Sequence, residues 1–390
     1  MNSTRHPDPD SLNLPDPAEA FDLEKIAPVP IVLHKGRGAT GNMQGRFEVD
    51  QRDQFDDGWG VAHAGDDEEL ERPLLRTEVF EEHAKTVLSR NASPDVPFSV
   101  SLNPYRGCEH GCIYCFARPS HSYLNLSPGL DFETKLRAKG NFAEVLRAEL
   151  AKPGYVISPI NIGSNTDPYQ PIEKRWRLTR AALELLAECR HPCTIVTKNA
   201  LVERDLDILV PMARERLVQV FVSVNSLDNH LAAKLEPRAS APHRRLKTIR
   251  TLTEAGVPVG VLVAPIIPAL NDRDMEAVLA QAADAGARCA GYTTLRLPYE
   301  LKQLFREWLA LHVPQRAEHV MSLLQQMNGG HDYDSNFATR MHGQGPFADL
   351  LRRRFEVASR KHGFARTREL QLDTSHFVPP RKPSPQGELF

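Results

Sequence analysis

The stretch from Asn103 to Cys115 reads Asn-Pro-Tyr-Arg-Gly-Cys-Glu-His-Gly-Cys-Ile-Tyr-Cys. It places Cys108, Cys112 and Cys115 in the spacing Cys-x3-Cys-x2-Cys. Three thiolates this close together can each bind one iron of a cubane [4Fe–4S] cluster. The fourth iron then has no protein ligand nearby and is open to another molecule. The spacing therefore predicts a cluster site with one exchangeable position.

The two other roles open to these cysteines are a disulfide framework and a zinc site. A disulfide framework fits an odd, tight trio poorly. A zinc site needs a fourth ligand, for which His110 or His121 is available in the sequence. The other three cysteines, Cys189, Cys193 and Cys289, are distant from the trio and are interpreted as buried free thiols.

Tyr114 supplies an aromatic residue inside the motif, which then reads Cys-x3-Cys-x-aromatic-Cys. This pattern resembles the signature of radical S-adenosylmethionine (SAM) enzymes. The flanks, Asn-Pro-Tyr-Arg-Gly before Cys108 and Phe-Ala-Arg after Cys115, are similar to the branch related to spore photoproduct lyase, also called DNA repair photolyase-like. The resemblance implies that SAM binds the fourth iron and is cleaved reductively to a 5′-deoxyadenosyl radical. It also implies an external electron donor of the flavodoxin or ferredoxin type.

The same resemblance makes a nucleic-acid lesion the first substrate class to consider, with a lyase-like reaction. Spore photoproduct lyase uses a cysteine hydrogen donor just after its second strand, whereas this chain has Gly163, Ser164 and Asn165 there. The photoproduct reaction itself is therefore not implied. The alternatives are radical modification of RNA, a peptide or a small molecule, and a non-catalytic iron–sulfur or zinc-binding module.

Composition limits the class of protein. The 390 residues can form one large domain with extensions, and no apolar run approaches 18 residues. No secretory signal is apparent, and the clustered cysteines favour a reducing cytoplasm, so we expect a cytoplasmic protein with no membrane partner. Residues 1–100 carry 10 Lys+Arg against 20 Asp+Glu, a net charge of −10. The remainder carries 48 − 10 = 38 against 50 − 20 = 30, or +8, which would suit a polyanionic substrate.

From about residue 97 the sequence alternates between apolar runs typical of strands and amphipathic helical patterns. Six such units predict an α/β fold, a partial (β/α)6 TIM-type barrel with a helical C-terminal extension and a poorly ordered N-terminal leader. The predicted strands are 97–103, 155–162, 194–197, 217–224, 257–264 and 288–295. The predicted organisation is a disordered leader 1–30, an N-terminal extension 31–95, the barrel 96–311, a helical extension 312–365 and a tail 366–390.

Polar residues follow several predicted strands, at the edge where active residues of such barrels gather. The superfamily resemblance implies that this edge binds SAM. Asp167 is a candidate partner for the SAM ammonium group or a turn-forming residue before Pro168, and Lys198 a partner for the carboxylate. The remaining candidates for SAM contact are Tyr114, Ser164 and Ser223. Lys198 and Ser223 could instead be ordinary polar residues of a loop edge.

Three arginines have alternative interpretations. Arg118, beside the cysteine loop, could offset negative charge there or be solvated. Arg238 is a candidate for contact with an anion, and Arg296 is expected to face the substrate mouth. All three positions follow or border predicted strand ends.

The last residues of the sequence contain Gln386, Leu389 and Phe390 after a Pro- and Lys-containing stretch. This pattern resembles the short peptide that bacterial replication and repair proteins insert into the sliding clamp. Leu389 and Phe390 would fill an apolar pocket and Gln386 would hydrogen-bond at its rim. Gly387 departs from the usual motif. The alternative is a tail that docks on the protein's own surface.

Overall fold

The architecture is that of a computed structural model, which describes residues 34–48, 75–366 and 371–380. A large parallel sheet forms its centre. In chain order the strands are β1 (Glu78–Glu82), β2 (Leu88–Arg90), β3 (Val100–Leu102), β4 (Tyr105–Arg106), β5 (Lys135–Lys139), β6 (Ile160–Ile162), β7 (Cys193–Thr197), β8 (Val218–Ser223), β9 (Val259–Ile266), β10 (Cys289–Thr294) and β11 (Ala365–Arg366).

The sheet follows the order β2-β3-β6-β7-β8-β9-β10-β11. All neighbours from β3 to β11 are parallel, and only β2 pairs antiparallel, with β3. The six strands β3, β6, β7, β8, β9 and β10 correspond to the six predicted strands and lie side by side in chain order. Because β2 and β11 flank these six, the described sheet does not close on itself. The predicted partial barrel is confirmed.

Helices connect the strands and cover the outer face of the sheet. They are α1 (Asp131–Thr134), α2 (Phe142–Leu150), α3 (Glu173–Trp176), α4 (Leu178–Glu188), α5 (Leu206–Arg214), α6 (Asn229–Leu235), α7 (Pro242–Glu254), α8 (Met275–Asp284), α9 (Leu301–His312), α10 (Ala317–Met327) and α11 (Gly345–Lys361). The helical pattern predicted for 176–189 is broken at Arg177, whose φ of 53° ends α3 before α4 begins.

Strand β8 shows why its sequence reads as almost continuously apolar. Val218, Val220 and Val222 pack into the core between sheet and helices. Alternate side chains of a strand point to opposite faces, so Gln219 and Phe221 point into the barrel. Both faces are buried, as is typical of a parallel sheet covered on both sides.

The inner face of the barrel is tightly packed near its base. A Cβ added to Gly260 on β9 would lie 2.6 Å from the Cys289 sulfur and 2.6 Å from the Phe221 ring. Gln219 donates a hydrogen bond to that sulfur at 3.2 Å. Cys289, Cys189 and Cys193 are all buried free thiols, as expected.

The extension 31–95 is more regular than expected where it is described. Strand β1 pairs in parallel with β5, and β4 completes this second, three-stranded sheet. Strand β2 forms a hairpin with β3 and so belongs to the barrel sheet. The predicted leader 1–30 lies outside the described residues.

The C-terminal extension closes over one edge of the barrel. Helices α10 and α11 are joined by residues 328–344, in which the Met341 carbonyl accepts hydrogen bonds from the Thr294 backbone N–H at 2.9 Å and hydroxyl at 3.2 Å. The neighbouring Arg340 binds both oxygens of Asp95, in the β2–β3 turn, at 2.5 and 2.8 Å. This segment therefore joins the last barrel strand to the first hairpin.

None of the helices within the described residues combines the length and the apolar character needed to cross a membrane.

Candidate cluster and cofactor site

The loop that follows β3 holds the three cysteines in a compact turn. Cys108 N–H donates to the Phe132 carbonyl at 2.9 Å, and Cys115 N–H donates to the Cys112 carbonyl at 3.2 Å. Gly107, at φ 76°, precedes the first cysteine, and a Cβ there would lie 2.6 Å from the Leu136 side chain. This position therefore requires glycine for both its left-handed backbone and its close packing.

Arg118 anchors this loop from beneath. Its side chain is fully buried and pairs with the buried carboxylate of Glu133, so it is not a solvated arginine. A guanidinium has five N–H donors, and here they satisfy loop carbonyls that would otherwise be unpaired. The accepting carbonyls are those of Gly111, Cys112, Pro128 and Gly129.

A segment of the N-terminal extension packs on the same loop. The backbone N–H groups of Gly38 and Ala39 each donate to a Glu133 carboxylate oxygen at 2.9 Å. A Cβ on Gly38 would lie 1.9 Å from the Gly111 carbonyl oxygen. Residues 34–48 are therefore part of the support of the cysteine loop.

The three thiols fit a cluster better than a single metal ion. Among the described residues, no three His, Cys, Asp or Glu side chains are placed around one ion. In a cubane each thiolate binds a different iron, so the sulfurs need not converge on one point. His110, one of the two histidines proposed as zinc ligands, is engaged with Asp167 and Asn199. The other, His121, has Nε2 on the Lys135 carbonyl, and its buried Nδ1 has no hydrogen-bond partner among the described residues.

Asp167 is a buried acceptor that organises the neighbouring strand end. Its carboxylate accepts from the Lys198 backbone N–H at 2.7 Å, the Thr197 hydroxyl at 2.8 Å and the Tyr169 backbone N–H at 2.9 Å. Burial alone would raise the pKa of Asp167, but nearby His110 and these donors lower it to about 2. The bond to Tyr169 shows the predicted turn at Pro168.

Lys198 extends from the end of β7 towards the cysteine loop. Its ammonium lies 6.0 Å from the centre of the Tyr114 ring. Burial raises the pKa of Cys112 and of Cys115, and the charge of Lys198 opposes this shift at both thiols. No carboxylate of the described residues forms a salt bridge with Lys198, so its charge is available to a ligand.

Comparison with known proteins decides the family. The sequence profile of the Radical SAM superfamily matches residues 102–282. Uncharacterised proteins of Mycobacterium tuberculosis and Mycobacterium bovis are each 37% identical over 233 residues, which cover 59% of this chain and 68% of theirs. The chain belongs to the radical SAM superfamily.

More distant similarities were also found. An uncharacterised protein of Methanocaldococcus jannaschii is 27% identical over 197 residues, covering 50% of this chain and 71% of its own. A spore photoproduct lyase mutant with bound AdoMet and dinucleoside spore photoproduct superposes with a TM-score of 0.49 at 15% identity, covering 76% of this chain and 82% of that one.

The superfamily implies SAM and a [4Fe–4S] cluster. The remaining predicted contacts have protein partners of their own. Ser223, 2% exposed, ends β8, and its carbonyl accepts from Arg245 at 3.0 Å. The Ser164 hydroxyl accepts from the Asn103 side chain at 3.3 Å. Tyr114 is buried within the loop.

Sequence reasoning missed a buried network that fixes this radical SAM motif. The Tyr114 hydroxyl donates to one carboxylate oxygen of Glu236, and Arg245 donates to the other. Glu236 is 2% exposed and Arg245 is 1% exposed on its side chain. Glu236 is 122 residues from Tyr114, so no local pattern announced the contact.

The two other arginines differ in their partners. Arg238, predicted to contact an anion, forms an ion pair with Glu109 at 2.7 Å. Arg296 lies at the strand end beyond β10, with its guanidinium carbon 5.1 Å from the centre of the Phe116 ring. Phe116 immediately follows Cys115, so Arg296 lies beside the cysteine loop, and its predicted position at the substrate mouth stays a prediction.

Proposed function

We propose that the protein is a radical SAM enzyme that cleaves SAM reductively and uses the product radical on a nucleic-acid lesion. The observation that carries the proposal is the three-cysteine loop with Lys198 beside it, since none of the described carboxylates forms a salt bridge with that lysine. In this proposal Cys108, Cys112 and Cys115 bind three irons of a [4Fe–4S] cluster, whose fourth iron takes SAM.

The bound cluster supplies the electron that breaks the sulfur–C5′ bond of SAM, giving methionine and a 5′-deoxyadenosyl radical. The protein supplies position and charge. Lys198 pairs with the SAM carboxylate, while Asp167 fixes the Lys198 backbone and so the direction of that side chain. Ser164, Ser223 and Tyr114 line the same edge.

Asp167 is a weaker candidate for direct contact with the SAM ammonium than its position in the sequence suggested. Three donors and His110 already engage its two oxygens. It can still contribute its negative charge. We propose that its main task is to hold β7 and the cysteine loop together.

The proposal of a nucleic-acid substrate is based on the net charge of the chain after residue 100. Residues 101–390 carry a net charge of +8, as counted above, which favours a polyanion. An electron donor of the flavodoxin or ferredoxin type and a cytoplasmic location complete the proposal. The sliding-clamp peptide at 386–390 lies outside the described residues and stays a prediction.

Anaerobic reconstitution tests the proposed activity. The full chain, reconstituted with iron and sulfide, should bind about four of each, as a cubane requires. With SAM and dithionite it should release 5′-deoxyadenosine. Stoichiometric zinc with no iron uptake, or a cluster that leaves SAM intact under reduction, would contradict the proposal.

A further inference from the structure

The guanidinium of Arg296 is partly shielded from solvent but makes few hydrogen bonds. Its Nε is shielded from solvent and has no hydrogen-bond partner among the described residues. One terminal nitrogen contacts the Met341 sulfur at 3.3 Å, which is a weak acceptor. No carboxylate of the described residues lies within salt-bridge distance of this guanidinium.

A shielded arginine without a hydrogen-bond acceptor destabilises the folded protein. A shielded donor without an acceptor loses its hydration and gains nothing in exchange, and this penalty is larger for a charged group than for a neutral one. The neighbouring arginines show the usual solution: Arg46 is paired with Glu300 at 2.8 Å, and Arg340 with Asp95. Arg296 lacks that partner, although Glu300 is only four residues away in the chain.

Stacking keeps the Arg296 side chain in place. Its guanidinium lies over the ring of Phe116, the residue after the last cluster cysteine. A guanidinium stacked on a ring keeps its in-plane donors free for an anion. Phe116 is 45% exposed, so part of its ring is also open to a ligand.

A second group of exposed aromatic rings is centred on Arg46 and reaches the loop of Arg296 through Tyr299. Tyr299, three residues after Arg296, is 60% exposed. Arg46 lies 3.4 Å from its centre and 5.1 Å from that of Phe47, and Phe47 stacks on Tyr123 at 4.8 Å. Flat exposed rings interleaved with arginines are what binds single-stranded nucleic acid.

We propose that Arg296 binds a backbone phosphate of the substrate strand and that an unpaired base stacks on Phe116. This deepens the proposed function and rests on it for the polyanionic substrate. A carboxylate would satisfy the arginine equally well. The open rings beside it favour a nucleotide, because a nucleotide presents an anion and a flat π-face together.

The test is the salt dependence of oligonucleotide binding. The reconstituted full chain is titrated anaerobically with fluorescein-labelled dT10 at several salt concentrations. Each phosphate contact on a single strand contributes about 0.7 to the slope of log K against log salt. Arg296→Met should therefore lower the slope by about 0.7 and weaken binding roughly tenfold at low salt.

Three controls define the result. Arg147→Met removes the same charge from an arginine that is paired with Glu188 on the outer helices, and should change the slope by less than half as much. Arg296→Lys keeps the positive charge but loses the planar guanidinium. The slope of log K against log salt should therefore be unchanged, while the affinity for dT10 falls. A dT10 with neutral methylphosphonate linkages should bind equally to wild type and Arg296→Met.

Several results would overturn the inference. These are no binding of dT10 by the wild type, equal slopes for wild type and Arg296→Met, or an equal loss in Arg147→Met. SAM cleavage by the wild type is measured separately, without oligonucleotide. A protein that cleaves SAM but shows no dependence on Arg296 keeps the proposed function and loses this inference.

Discussion

At the scale of single residues, the site is built from charges held in place by backbone contacts. Lys198 is the clearest case, because Asp167 binds its backbone N–H and leaves its ammonium free beside Tyr114. A lysine held in this way can meet an anionic group without first losing another ion pair.

Replacing Lys198 by alanine should weaken SAM binding roughly 10- to 100-fold, the value of one charge-assisted hydrogen bond. The cluster spectrum should be unchanged, because Lys198 is not a predicted ligand. Equilibrium dialysis with labelled SAM measures the affinity, and the exposed Lys174→Ala is the matched control. Equal affinity in Lys198→Ala and Lys174→Ala would contradict the assignment to the SAM carboxylate.

Gly38 shows what the sequence could not reveal. It lies in the N-terminal extension 31–95, in the Gly-rich run Lys35-Gly-Arg-Gly-Ala-Thr-Gly, which has no helix or strand pattern. Its importance comes from a contact with Gly111, which is 73 positions away and requires the absence of a side chain. The cysteine motif, by contrast, was predictable because its three ligands are local in sequence.

Substituting Gly38 by alanine should loosen the cysteine loop, since the new Cβ cannot occupy a position 1.9 Å from the Gly111 oxygen. We expect lower iron content after reconstitution and faster loss of the cluster in air. Gly36→Ala is the control, because nothing lies within 4 Å of a Cβ there and only its φ of 74° is strained. Iron content equal in the two variants would show that the segment does not support the loop.

At the scale of elements, the turn between α4 and β7 contains a buried neutral histidine. His191 Nδ1 lies 3.0 Å from the Pro192 carbonyl, which can only accept, so Nδ1 carries the proton. Nε2 must then accept from the Tyr155 hydroxyl at 2.9 Å. Burial lowers the pKa of His191 from 6.5 to about 4.

This pKa makes the stability of the element depend on pH. Above pH 6.5 His191 is neutral in both the folded and the unfolded state, so its full contribution to stability is present. As the pH falls from 6.5 to about 4, the unfolded state binds the proton first, so stability is lost; below about 4 the loss levels off. The total is about 3 kcal/mol, at 1.36 kcal/mol per pKa unit.

The measurement compares wild type with His191→Phe by urea unfolding between pH 7 and pH 4. As the pH falls, the unfolding free energy of the wild type should decrease by about 3 kcal/mol more than that of His191→Phe. Other titrating groups and loss of the cluster affect both proteins and cancel. Parallel pH profiles would show that His191 is not held neutral.

The strands and helices differ in how well the periodicity of their own sequence predicts them. Each strand and helix of the six βα units has a local pattern, because alternate valines of β8 or the apolar face of α4 pack on one core. Strand β1 has no such alternation, and in β5 the alternation of Leu136 and Ala138 with basic residues does not reveal its partner strand. Their partners lie 57 residues apart, so their pairing depends on the arrangement of the whole chain.

At the scale of the whole molecule, an open barrel needs something to join its two edges. In the described sheet β3 and β10 are separated by four other strands on one side and are not hydrogen-bonded to each other on the other. Residues 328–344 span this gap through Met341 on β10 and Arg340 on the β2–β3 turn. Nothing in the sequence of either partner indicated this connection.

The Asp95–Arg340 pair should therefore contribute more to stability than an ordinary surface ion pair. Its side chains are only 8% and 16% exposed, and the hydrogen bonds from Arg340 lower the pKa of Asp95. A double-mutant cycle with Asp95→Asn and Arg340→Met should give a coupling of about 1–3 kcal/mol.

The exposed pair Arg147–Glu188 is the reference for that cycle. It has the same two-bond geometry at 2.7 and 2.5 Å, but it is 30% and 51% exposed and joins neighbouring helices rather than the edges of the barrel. Its coupling should stay below about 1 kcal/mol. Hydrogen exchange should also quicken in β10 and in the β2–β3 hairpin when Arg340 is replaced, because the two edges are then released together. Equal couplings for the two pairs, with exchange unchanged at the barrel edges, would show that the open side does not depend on this contact.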